Sequence, residues 1–197
     1  MHEVTAVPLN PRLFEMDGIS KRQIEEHSTL YQGYVAKTNE IRAKLEGVDR
    51  SKANQSYSDI RELKVELSFA WNGVKLHEYY FENLGGKGGL PGAATGQALE
   101  KAFGSFERCV EDIKASAMSA RGWVVMAWDA ADGGIYNYIA DAHNSYGIWH
   151  AVPLLVLDTY EHAYMIDYGV KRPPYVEAFL KNLDWAVVEK RLEAVSR

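Results

Sequence analysis

The chain has 197 residues, of which 47% are apolar and 25% charged, and this composition excludes a disordered or low-complexity protein. A formal net charge of −5 argues against nucleic-acid binding, and the absence of long apolar runs argues against a membrane span. The single cysteine, Cys109, excludes an internal disulfide and predicts a reducing compartment, the cytoplasm. Residues 1–14 lack the apolar core of a secretory signal, so export is not expected.

Two long amphipathic helices are predicted in the first half of the chain. Ser20 and Gln23 have the spacing of a capping box, which predicts a helix start, and a second helix is predicted from near Ser58 to the glycine run at 85–89. Because a short loop joins them, they should form an antiparallel hairpin, which we assign to a domain of residues 1–90. Their apolar faces are predicted to contain Ile24, His27, Tyr31, Tyr34, Thr38, Ile41 and Leu45 in the first helix, and Ile60, Leu63, Leu67, Ala70, Val74, His77, Phe81 and Leu84 in the second.

The second half, assigned to a domain of residues 91–197, mixes helices with short strands. Asp132-Gly133-Gly134 is typical of a β-hairpin turn, and strands do not alternate regularly with helices. The sequence therefore predicts an α+β fold, with an N-terminal antiparallel α-hairpin followed by a helical α/β domain with a three-stranded antiparallel sheet. The predicted helices are 95–103, 105–119, 159–167, 173–180 and a last one capped by Asp184, and the predicted strands are 123–128, 135–140 and 154–157.

Three histidines and one aspartate stand out as possible metal ligands. A lone histidine on a buried helix face is usually a hydrogen-bonded core residue, but the facing arms of a hairpin can bring His27 and His77 to one point. Asp158 and His162 are four residues apart and would share a face if a helix began at Asp158, although Asp158 could equally be only a helix cap. Three imidazoles and one carboxylate suit iron, manganese or zinc.

The sequence around this pair resembles the signature of a known metalloenzyme family. Asp158-Thr159-Tyr160-Glu161-His162-Ala163-Tyr164 is similar to the D-x-W-E-H-A-Y motif of the iron/manganese superoxide dismutases. The resemblance extends over nearly the whole chain from Ile19 onward, with further similar stretches at 72–81, 103–106, 122–123, 171–179 and 182–185.

The resemblance implies a superoxide dismutase, which converts superoxide to dioxygen and hydrogen peroxide. It implies one iron or manganese ion per subunit, with iron slightly favoured, and zinc is excluded as the working ion because it does not cycle by one electron. The family position four residues before His77, which often holds a glutamine in the iron type, is Gly73 here. His143 is similar to the solvent-orienting histidine of some archaeal iron enzymes, Tyr34 matches the gateway tyrosine, and Arg172 matches an arginine near the substrate channel. The ligands implied by the resemblance are His27, His77, Asp158 and His162.

The resemblance also implies an assembly, a homodimer or homotetramer with Glu161 near the interface. Three family positions differ in this chain. Tyr160 replaces the usual tryptophan, Tyr31 or Leu30 stands where the first helix usually has a second histidine, and Met165 replaces a tyrosine.

Three functions remain open from the sequence. The leading interpretation is a cytoplasmic superoxide dismutase with superoxide as its substrate. An alternative is a metal-binding relative with weak or different redox activity, and a third is a helical interaction domain with core histidines and no metal.

Overall fold

A computed structural model describes residues 2–195, so each of the two predicted domain ranges has one end outside the described part. The described residues follow the predicted α+β order: two long helices, two shorter helices, a three-stranded sheet and three closing helices. The elements are α1 (Lys21–Gly47), α2 (Asp59–Glu82), α3 (Ala93–Phe103), α4 (Phe106–Ser119), β1 (Trp123–Asp129), β2 (Ile135–Ala140), β3 (Ala151–Asp158), α5 (Met165–Tyr168), α6 (Arg172–Lys181) and α7 (Trp185–Val195).

Helices α1 and α2 form the predicted hairpin and contact one another along their apolar faces. The Oγ of Ser20 accepts a hydrogen bond from the backbone N–H of Gln23 (3.1 Å), which confirms the predicted start of α1. Every residue of the predicted α1 face is buried except Tyr34, which is partly exposed. The hairpin therefore presents one histidine from each arm to the interior.

The sheet has the strand order β2-β1-β3, and both pairings are antiparallel. Trp123, the first residue of β1, lies between Ala140 at the end of β2 and Asp158 at the end of β3. Strand β3 runs from Ala151 to Asp158 and is longer than predicted at both ends. Its register with β1 shifts between Met126 and Ala127, and Pro153 is paired with Ala127 on this edge strand, where a missing backbone N–H is tolerated.

The predicted helix over 159–167 is only partly confirmed. After β3 the chain stays extended at Tyr160, forms a 3₁₀ turn at Glu161–Ala163, and only then enters the short helix α5. The backbone N–H of Thr159 donates to the carbonyl of Gly122, which continues the sheet pairing one residue past β3, and the N–H of Tyr160 donates to the side chain of Asp158. The sheet contact therefore delays the start of the helix.

Residues from both halves share one apolar core. It contains Ile24 of the hairpin and Leu157 of the sheet, so the proposed division into domains 1–90 and 91–197 stays a prediction. Arg191 of α7 also bridges the halves, since its guanidinium donates to the side-chain oxygen of Asn83 (2.7 Å) and to the carbonyl of Leu154 (2.8 Å). Within residues 2–195, no helix has the length and apolar character needed to cross a membrane.

Candidate metal centre

Four side chains from distant parts of the chain meet beneath the end of the sheet. His27 comes from α1, His77 from α2, Asp158 from the end of β3 and His162 from the 3₁₀ turn. One potential ligand atom from each lies within 4.8 Å of all the others. The Oδ2 atom of Asp158 is 3.1 Å from the Nε2 of His27, 3.1 Å from that of His162 and 3.7 Å from that of His77. The convergence predicted from the sequence is thus present in the fold.

Asp158 is fully buried and is held by its own backbone surroundings. Its Oδ1 accepts the N–H of Tyr160 (2.9 Å), which leaves Oδ2 facing the three imidazoles. The Tyr175 hydroxyl donates to the carbonyl of Asp158 (2.8 Å) and lies 3.1 Å from the Tyr80 hydroxyl, so a buried tyrosine pair supports the end of β3. Burial raises the pKa of Asp158, but hydrogen bonds from His162 and His27 outweigh it, so the pKa lies below its usual value.

His77 shows which ring nitrogen faces the cluster. Its Nδ1 lies 2.6 Å from the carbonyl of Gly73, a contact that requires Nδ1 to carry the proton. The Nε2 is then a lone-pair acceptor, and this buried atom has no hydrogen-bond partner within the described residues. Burial lowers the pKa of His77 to about 3, so the ring is neutral at ordinary pH.

These features fit a bound metal cation. A buried nitrogen lone pair 3.7 Å from a carboxylate oxygen is unfavourable unless a positive charge lies between them. Ligand atoms about 2.0–2.2 Å from one ion are separated from each other by roughly 3–4 Å, close to the spacings in this cluster. The donor set is three imidazoles and one carboxylate, which suits iron or manganese.

Gln23 fixes the turn that carries His162, a role that the sequence analysis missed. Its side-chain amide donates to the carbonyl of His162 (2.6 Å), and its Oε1 accepts the N–H of Ile166 (3.1 Å). The second half of the predicted capping box is therefore absent, because the N–H of Ser20 donates to Asp167 instead (2.7 Å). The spacing from Ser20 to Gln23 identified the helix start but gave no sign of this long-range contact.

Tyr34 and His143 lie beside the cluster, as the resemblance implied. The ring centroid of Tyr34 is 5.4 Å from that of His77 and 4.8 Å from that of His143. The Nδ1 of His143 accepts a hydrogen bond from the indole N–H of Trp123 (2.9 Å). Burial raises the pKa of Tyr34, with a smaller contribution from the charge of Asp158, so its hydroxyl stays protonated.

Gly73 provides the space that both rings occupy. A Cβ atom there would lie 3.0 Å from the Cγ of Tyr34 and 3.3 Å from the Cδ2 of His143. Phe69, which the sequence analysis did not single out, packs against His143 at 4.4 Å between ring centroids. Phe69 lies four residues before Gly73, one helical turn along α2, and this spacing could have indicated it.

Two other positions that the family resemblance singled out, at Tyr31 or Leu30 and at Arg172, have defined contacts. Of Tyr31 and Leu30, only Tyr31 is buried, and its ring lies 6.3 Å from that of His77 while its hydroxyl donates to Glu78 (2.7 Å). The guanidinium of Arg172 donates to the carbonyls of Ala117 (3.0 Å) and Ala120 (2.7 Å) at the end of α4. Arg172 therefore satisfies helix-terminal carbonyl groups.

The fold and this cluster define a protein with a candidate mononuclear metal site, which offers three nitrogen donors and one oxygen donor. Comparison with known proteins gives the family. The profile described as the C-terminal domain of iron/manganese superoxide dismutases matches residues 91–191. The iron superoxide dismutase of Aquifex pyrophilus is 50% identical over 184 residues, which cover 90% of this chain and 86% of that protein. The iron superoxide dismutase of Aquifex aeolicus is 49% identical, over 90% of this chain and 86% of that protein. The one of Methanothermobacter thermautotrophicus is 37% identical, over 90% of this chain and 88% of that protein. The chain belongs to the iron/manganese superoxide dismutase family.

Proposed function

We propose that the chain is a superoxide dismutase that works at one iron or manganese ion held by the four converging side chains. The observation that carries the proposal is the convergence itself, in which three imidazole nitrogens surround one oxygen of a fully buried carboxylate. Iron is slightly favoured, because the similar proteins reported above are iron superoxide dismutases. The proposed ligands are His27, His77, Asp158 and His162.

The side chains prepare the site for a redox metal. When bound here, iron or manganese would supply one-electron chemistry, in which one superoxide gives up an electron to leave as dioxygen and a second takes up that electron and two protons to leave as hydrogen peroxide. The Gly73 carbonyl fixes the tautomer of His77, and the Tyr160 N–H fixes the orientation of Asp158. The single negative charge of Asp158 offsets part of the charge of the cation, and the neutral imidazoles add none.

Tyr34 and His143 are proposed to act on substrate and solvent rather than as ligands. Tyr34 is the partly exposed member of an otherwise buried helix face, and its protonated hydroxyl makes no hydrogen bond to another residue in the 2–195 range. It is free to donate to an incoming anion. His143 accepts from Trp123 at Nδ1, so its Nε2 is the nitrogen available to orient a solvent molecule.

We propose a homodimer or homotetramer in the cytoplasm, with Glu161 near an interface. The imidazole of the adjacent His162 is 30% exposed, whereas His27, His77 and Asp158 are fully buried. Apolar side chains are exposed around it, among them Met165 at 44%. A subunit interface over this surface would cover the exposed part of the His162 imidazole and the exposed side chain of Met165. The buried thiol of Cys109 and the absence of other cysteines suit a reducing compartment.

The other candidate functions are distinguished by the buried charge. A metal-free interaction domain would leave the carboxylate of Asp158 fully buried and the Nε2 of His77 without a hydrogen-bond partner among the described residues, and a bound cation would relieve both costs. A metal-binding relative with weak or different redox activity keeps the same cluster. The altered positions Tyr160 and Met165 are the features that favour it.

Metal loading combined with an activity assay tests the proposal. The purified protein is loaded with iron and with manganese separately, and metal content and superoxide consumption are measured together. We expect about one ion per chain and activity with at least one metal. His162→Ala should lose both, because one of four ligands is gone, whereas the matched variant His2→Ala at the exposed end of the chain should lose neither. A wild-type protein that takes up no metal would refute the proposed function, and one with metal but no dismutase activity would favour the weak or different redox activity.

A further inference from the structure

Tyr160 lies in the segment between the metal-binding residues Asp158 and His162, and its ring contacts both sides of the site. The ring is stacked on His162, with 5.2 Å between centroids and 19° between planes. It also meets the edges of Trp123 at 6.2 Å and of His143 at 5.5 Å. The side chain thus joins a proposed ligand to the proposed solvent-orienting residue.

The hydroxyl of Tyr160 holds the loop that carries His143. It donates to the backbone carbonyl of Asp141 (3.2 Å), two residues before His143 and just after the end of β2. Other contacts hold the same loop: the N–H of Arg121 donates to the Asp141 carboxylate (3.1 Å), Asn144 donates to Ser68 (2.8 Å), and the buried indole of Trp123 donates to His143 (2.9 Å). Among these contacts, the hydrogen bond from Tyr160 connects the His143 loop to residues 158–162, the segment that contains the proposed ligands Asp158 and His162.

The backbone beneath Tyr160 leaves its ring little freedom. A Cβ atom at Gly122 would lie 3.1 Å from two atoms of the ring and 2.7 Å from the carbonyl of Ala140, so the ring is packed directly on the backbone. Gly122 also accepts the N–H of Thr159 (2.8 Å), the neighbour of Tyr160. The Tyr160 hydroxyl is therefore held in one position, at the start of the loop that carries His143.

We propose that Tyr160 is a positioning residue, whose hydroxyl sets the placement of His143 relative to the metal centre. The inference rests on the proposed function, because it assigns to His143 the orientation of solvent at that centre. Trp123 fixes which nitrogen of the His143 ring accepts, and Tyr160 fixes the backbone from which the ring projects. A tryptophan at this position has no hydroxyl to offer, so this chain supports the loop in its own way.

Tyr160→Phe tests the proposal because it removes the hydroxyl and keeps the ring on His162. The iron-loaded enzyme should retain its iron and lose kcat by roughly fivefold, the effect expected for one neutral hydrogen bond. The electron paramagnetic resonance signal of its oxidised iron should change shape, because the solvent beside the metal is held differently. Amide exchange in residues 141–145 should become faster. The matched control Tyr138→Phe, which removes the hydroxyl bonded to Asp129 on the same sheet, should leave all four measurements unchanged.

A double-variant cycle with His143→Ala shows whether Tyr160 acts through His143. If it does, adding Tyr160→Phe to His143→Ala causes no further loss of kcat. If Tyr160→Phe lowered kcat fivefold both in the wild-type enzyme and in His143→Ala, the proposal would be overturned. It would also be overturned if Tyr160→Phe had the amide exchange rates and the resonance signal of the wild-type enzyme. These outcomes concern Tyr160 alone. A wild-type protein without metal or activity would instead refute the proposed function.

Discussion

Gly73→Ala tests the packing at the metal centre with the smallest change. Gly73 lies on α2 four residues before His77, and an added Cβ would be 3.0 Å from the Cγ of Tyr34 and 3.3 Å from the Cδ2 of His143. Carbon atoms in contact favour separations of roughly 3.5–4.0 Å. Both rings must therefore move by several tenths of an ångström.

Two opposing effects determine the stability of this variant. Replacing glycine by alanine inside a helix stabilises by about 1 kcal/mol, whereas overpacking a buried site costs about 1–3 kcal/mol. The free energy of unfolding should therefore fall by about 0–2 kcal/mol. We expect kcat to fall by roughly tenfold, because a misplacement of about 1 Å in an active site can cost about a hundredfold. Metal content should stay the same, since the Gly73 carbonyl that bonds to His77 belongs to the backbone.

The assay compares Gly73→Ala with Gly96→Ala by urea denaturation, metal analysis and dismutase kinetics. Gly96 lies inside α3, and a Cβ there meets only the Cγ of Pro91, at an ordinary 3.8 Å. The control should gain up to about 1 kcal/mol of stability and keep its activity. If Gly73→Ala were as stable as the control and equally active, the tight packing of Tyr34 and His143 against α2 would be refuted.

Two further substitutions test the gateway and the junction between the halves of the chain. Tyr34→Phe should retain the metal and change turnover or product inhibition, because the Tyr34 ring lies beside His77 and His143 but is not one of the four proposed ligands. Loss of metal would show that Tyr34 is misplaced. Arg191→Met should lower the free energy of unfolding by about 3–5 kcal/mol in urea denaturation, since two charge-assisted hydrogen bonds to Asn83 and Leu154 are lost and their acceptors stay buried. The control is Arg61→Met, which removes an exposed ion pair with Glu62 and should change the free energy of unfolding by less than about 1 kcal/mol. Equal effects of the two variants would contradict the bridging role of Arg191.

The sequence alone determined the helices and strands whose signals are local. The α1 face, the cap at Ser20 and the strand pair around the Asp132-Gly133-Gly134 turn all follow from spacings between residues that are near neighbours in the sequence. Such periodicities reflect the geometry of one helix or strand, so they can be recognised without a partner. The same local patterns placed His27 and His77 on faces that meet.

Only the tertiary structure decided the partners of the polar groups around the centre. Asp158 and His162 would share a face if a helix began at Asp158, but Thr159 pairs with Gly122 and the chain stays extended at Tyr160. Gln23 was expected to cap its own helix, and it instead holds the His162 turn 139 residues away. For Gln23 and Thr159 the hydrogen-bond partners come from distant parts of the chain, which only the fold brings close, so no local pattern in the sequence indicates them.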